Sequence, residues 1–136
     1  RKPTLENLLM SAPEADSHIV SGVFQLEEGR YRWMGGRAIF ALKAPAVSSP
    51  LRISFFVPSG APARCMSAYV DGKLAAEITF NGPGSHELIS PPVMPEGGTA
   101  TVTVAVDRTF QPPNDRRELG VILVEAGFQR NISSGR

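Results

Sequence analysis

The strongest constraint on how this chain can fold is its punctuation. Twelve prolines and thirteen glycines divide 136 residues into short pieces. Between them, apolar and polar residues alternate in twos. In "TATVTVAVD", Thr99 to Asp107, residues Ala100, Val102, Val104 and Val106 share one face; Thr99, Thr101, Thr103 and Asp107 share the other. That is the period of a strand with one wet face. "LRISFFV" aligns Leu51, Ile53, Phe55 and Val57, and "RAIFALK" aligns Ala38, Phe40 and Leu42. "LGVILVEAGF", Leu119 to Phe128, is apolar on both faces at first, which predicts a central strand. "SHIVSGVF" and "SHELISP" are weaker strands. Parallel strands need long, usually helical crossovers, and no long helical pattern exists here. The expected fold is all-β: an antiparallel, jelly-roll-like β-sandwich of about eight strands. The only helix-like piece is "LENLLMSA", where Leu5, Leu8 and Leu9 have helical spacing and Pro13 stops it, predicting a short N-terminal helical turn.

"MSAYVDGKLAAEITF" reads as a hairpin turning at Asp71-Gly72. A two-residue turn pairs Val70 with Lys73 and sets Tyr69 beside Leu74. A three-residue loop pairs Tyr69 with Lys73 and unites the apolar rows Met66, Ala68 and Leu74, Ala76. Register follows the buried face, which favours the second.

The length predicts one domain with a core that needs no disulfide or metal. The expected division is a linker or short helix over 1–16, the sandwich over 17–128, and a tail over 129–136. The chain starts at Arg1 and has no signal-like apolar segment, so it reads as a piece of a longer protein. Asn131-Ile132-Ser133 matches a glycosylation sequon. A net charge of +1 offers no broad field for nucleic acid, and no apolar run reaches the ~20 residues of a membrane span. The single cysteine, Cys65, is compatible with the cytoplasm or a cell envelope and does not separate them.

Little in the chain suggests catalysis. Two histidines, His18 and His86, and one cysteine cannot close a zinc site of the usual kind. No phosphate loop or dinucleotide fingerprint is present, so no catalytic residue, metal or cofactor is expected. Arginine dominates instead: only three of the fourteen basic residues are lysine. "GRYRWMGGR" places Arg30, Arg32 and Arg37 around Tyr31 and Trp33. It reads either as a sugar platform, with aromatics stacking and arginines and acids bonding hydroxyls, or as a core plug with arginines packed over it. "TFQPPNDRREL" carries Asp115, Arg116 and Arg117 behind two prolines. It reads as a structural crossover in which Asp107, Phe110, Arg116 and Arg117 satisfy irregular backbone, or as a rim site in which Asp115 binds ligand.

Taken in order, "GRYRWMGGRAIFAL", "YVDGKLAAEITF" and "VAVDRTFQPPNDRRELGVILVEAGF" resemble small β-sandwich domains appended to bacterial glycosyltransferases and cell-envelope polysaccharide proteins. Trp33, Asp107, Thr109, Phe110, Pro112, Asp115, Arg117, Leu119, Gly120 and Val121 carry the resemblance, which covers roughly Ser17 to Phe128. It implies a non-catalytic, carbohydrate-binding-module-like accessory role whose partners are a glycan and the rest of the parent chain. The alternatives are a domain that only packs on its own chain or on a partner protein, and a glycoside-active enzyme.

Overall fold

The computed structural model describes residues 2–129; the sequon at Asn131 lies outside them. In chain order the elements are β1 (Asn7–Leu9), α1 (Ala15–His18), β2 (Ile19–Glu27), β3 (Tyr31–Lys43), β4 (Ser49–Val57), β5 (Arg64–Val70), β6 (Lys73–Phe80), β7 (Gly84–Val93), β8 (Thr99–Val106) and β9 (Ile122–Phe128). Every strand pair is antiparallel. Hydrogen bonding runs β6-β5-β8-β3-β9-β4-β7, with β1 added to β9 and β2 to β3.

The long strand β3 serves both layers. Its start pairs with β9 at Arg32 and Trp33, and its end pairs with β8 from Arg37 to Lys43. Gly35 and Gly36 lie between the two pairings. One layer is therefore β7-β4-β9 and the start of β3, and the other is β6-β5-β8 and the rest of β3. The ends of the path, β6 and β7, come alongside each other and nearly close the sheet. Phe40, Leu42, Met66, Ala68, Val102 and Val104 from one layer meet Leu51, Ile53, Phe55, Leu88, Leu123 and Ala126 from the other. Each large side chain so buried contributes about 1.5–3 kcal/mol.

The expected all-β sandwich is present, and β9 is central in its sheet. The helical turn lies at Ala15–His18, while the segment predicted to be helical runs extended as β1. Leu8 and Met10 are fully buried, whereas Leu9 is 49% exposed. The leucine spacing is helical, but so short a segment has no helical stability of its own. Pairing with β9 decides the matter. His18 then anchors the N-terminal segment. Its Nε2 accepts from the backbone N–H groups of Thr4 and Leu5, both at 3.1 Å, and its Nδ1 donates to the Glu14 carbonyl.

The β5–β6 hairpin corrects the expected register. It uses the two-residue turn: Asp71 and Gly72 have φ of 51° and 83°, and Val70 pairs with Lys73. A bulge then shifts the ladder between Tyr69 and Ala68, so that Ala68 pairs with Ala76 and Met66 with Ile78. The turn supplies the twist that hairpins favour. The bulge restores the apolar rows that this turn alone would separate.

Candidate functional site

The crossover from β8 to β9 is built by its charged residues. Phe110 and Leu119 exchange both backbone hydrogen bonds and close the loop at its base. Arg117 forks onto Asp115, with Nε to Oδ1 at 3.0 Å and Nη2 to Oδ2 at 2.8 Å, and reaches Glu27 on β2 with Nη1 at 2.9 Å. These bonds hold the Asp115 carboxyl down to about 2, its side-chain bond to Arg117 contributing most. They also raise the Arg117 guanidinium, which lies over the Phe24 ring. Asp107 accepts from the Cys65 N–H at 2.9 Å. Arg116 is exposed, and its carbonyl accepts from Gln111.

Of the proposed sugar platform, only part is available. Trp33 is 8% exposed and packs edge-on against Phe110, with centroids 5.9 Å apart. The crossover therefore roofs the indole. Arg32 is also buried, bonded to the Met10 and Phe24 carbonyls and ion-paired with Asp16 at 2.9 Å. Arg37 stands exposed along β3, opposite Ala105. Asp115 belongs to the crossover. Tyr31 and Arg30 remain together at the β2–β3 turn, where Arg30 pairs with Glu28 at 2.6 Å. Partial burial, then the Glu28 and Glu27 carboxylates, push the Tyr31 phenol up, which keeps its O–H as a donor to Glu28.

Tyr31 and Arg30 open onto the outer face of the layer formed by β3, β9, β4 and β7. With Glu28, Phe56, Ser85, Ile122 and Val124 they line a shallow concavity of about 420 Å³. Phe56 is 39% exposed and Val124 41%. Phe56 pairs with Ile122 on one side and Ser85 on the other, so these residues form one row across the strands. Beside that row, Arg52 Nε donates to Glu87 at 2.6 Å, and Arg52 also lies 3.8 Å from Glu125. A β-bulge places Val124 between the paired residues Leu123 and Glu125. This is how an exposed valine and an acid come to neighbour each other on one strand. The face thus combines an apolar strip with flanking hydrogen-bonding pairs.

Phe56, Arg52 and Ser54 escaped the sequence reading although their signal is simple. In "LRISFFV" they occupy the face opposite the apolar row, which leaves an aromatic ring on the wet side. Val124 had no such signal, because its exposure depends on the bulge. Arg64 was also missed. It is 2% exposed and lies over both Phe80 and Phe110, donating to the carbonyls of Pro62, Arg108 and Gly120. Burial lowers the affinity of its guanidinium for the proton.

Comparison with known proteins places the fold. No family model and no curated protein matches the chain. Among solved structures, it is similar to the acetyl xylan esterase Est2A from the rumen bacterium Butyrivibrio proteoclasticus, with a TM-score of 0.58 and 14% identity. That match covers 93% of this chain and 34% of the esterase. It is also similar to CsCBM6-3 from Clostridium stercorarium, solved in complex with cellobiose, with a TM-score of 0.53 and 9% identity over 96% of this chain and 97% of that one. The likeness is one of fold, an antiparallel, jelly-roll-like β-sandwich.

Proposed function

We propose that this chain is a non-catalytic carbohydrate-binding module, an accessory part of a larger bacterial glycan-handling protein. The observation that carries the reading is the outer face of β3-β9-β4-β7. There Phe56, Tyr31 and Val124 offer a ring-sized apolar strip, and Arg30–Glu28 and Arg52–Glu87 offer donors and acceptors beside it. A pyranose has an apolar C–H face and an equatorial girdle of hydroxyls, and so needs both. The likeness to a module crystallised with cellobiose supports the reading, and the one-third coverage of the esterase supports an accessory place in a longer chain. The carboxylates on this face are each engaged by arginine, which favours binding over acid–base chemistry.

Glycan-array screening followed by calorimetry tests this. Phe56→Ala is expected to weaken binding about tenfold, the value of about 1.4 kcal/mol of lost stacking. Unchanged affinity in that variant, or binding to no glycan, would overturn the reading.

A second reading is a domain that packs on its own chain or on a partner protein. Leu74 and Met94, each 54% exposed, favour it. They line a groove between the β5–β6 turn and the segment after β7, at the end of the sandwich where Asp71 lies. A glycan-negative chain with intact folding would support this second reading.

A further inference from the structure

We infer that the site takes an uncharged oligosaccharide of at least two rings, running along β4 and β7 rather than across the sheet. This rests on the carbohydrate reading and specifies its ligand class. The concavity at Tyr31 and Phe56 is not isolated. A second one, of about 480 Å³, is lined by Arg52, Ser54, Phe55, Ser85, His86 and Glu87, and it shares Ser85 and Val124 with the first. The first spans β3 to β7 by itself, and the second continues it along β4 from Phe56 to Arg52 and along β7 from Ser85 to Glu87, four residues of β4 or about 13 Å. That is longer than a single pyranose.

The two halves differ in chemistry. The first is an apolar strip with Tyr31 and Phe56. The second is polar. Arg52 keeps further N–H groups beyond the one given to Glu87, and Glu87 keeps a second oxygen. A hydroxyl both donates and accepts, so this pair can hold one from either side. Ser54 Oγ, beneath this half, has no hydrogen-bond partner among the described residues. One ring stacks in the first half, and the next hydrogen-bonds in the second.

Charge decides the sugar class. Arg30 is paired with Glu28, and Arg52 with Glu87 and Glu125. Among the described residues, each arginine lining either half is paired with an acid, and Arg52 with two. A uronic acid or sulfated sugar would have to displace a carboxylate already in place and would meet repulsion from the rest. A neutral sugar disturbs none of these pairs.

The test is calorimetric titration with neutral β-1,4-linked gluco-, xylo- and manno-oligosaccharides from monosaccharide to hexasaccharide, and with oligogalacturonate. Affinity for a bound neutral series is expected to rise at least about tenfold between one ring and two or three, with no binding of oligogalacturonate. Arg52→Met is expected to remove most of that gain with chain length. Glu87→Gln, which keeps the side chain's shape, is expected to reduce it, and melting curves check that both variants fold. Equal affinity for one ring and for several, preference for oligogalacturonate, or an undiminished length dependence in both variants would overturn the inference and leave the carbohydrate reading standing. Binding of no sugar at all would overturn both.

Discussion

Arg64 carries a positive charge into the interior with three backbone carbonyls and two aromatic rings around it. Two of those carbonyls, from Arg108 and Gly120, lie at opposite ends of the crossover, so one side chain ties its base together. Arg64→Met keeps the apolar stem but leaves the carbonyls without a donor. Chemical denaturation is expected to show a loss of about 2–3 kcal/mol. The Asp115–Arg117 pair acts at the loop's tip. The folded-state value for Asp115, about 2, lies below its ordinary 3.8, so the ionised form favours the folded state. Its contribution is complete above about pH 4 and is lost as pH falls through 2. Melting temperatures between pH 5 and pH 2 are expected to fall less in Asp115→Asn than in the wild type, and equal slopes would contradict the role given to the pair. The sequence placed Asp115, Arg116 and Arg117 in one loop without saying which acid and arginine pair; the structure pairs Asp115 with Arg117. The sequence reading missed Arg64, although strand alternation sets that arginine on the same face as Met66 and Ala68.

Among the elements, β1 shows how a short segment is decided by its neighbour. It lies against β9 with Asn7 opposite Gly127. Gly127 has φ of +153°, and a Cβ there would meet the backbone of Glu6 and Asn7. Gly127→Ala is therefore expected to cost about 2–4 kcal/mol and to release β1, which hydrogen exchange at Leu8 and Met10 would detect. Retained protection at those amides would show that β1 docks without this close approach. The longer strands were legible because their apolar residues recur in twos. β1 was not, since its leucines have helical spacing and the strand buries Leu8 and Met10 while leaving Leu9 outside. The bulges in β6 and β9 were not legible either. Each inserts a residue where the partner strand demands it, and the inserted strand carries no local mark of that.

For the whole molecule, the candidate site is a property of one sheet face. It draws Tyr31 from β3, Val124 from β9, Phe56 and Arg52 from β4, and Ser85 and Glu87 from β7. The Phe56→Ala and Arg52→Met titrations test it at this scale, since they address two halves of one surface. Local pattern and punctuation were enough to determine an antiparallel sandwich, a central β9 and the hairpin's position. These follow from backbone sterics and from residues near one another in the chain. Tertiary structure alone decided which aromatic stays exposed. Trp33 and Phe56 both lie on the outer side of their strands, but Phe110, far away in sequence, covers the first, and nothing among the described residues covers the second. Burial depends on the loop that arrives from elsewhere, and a strand's own alternation cannot record it.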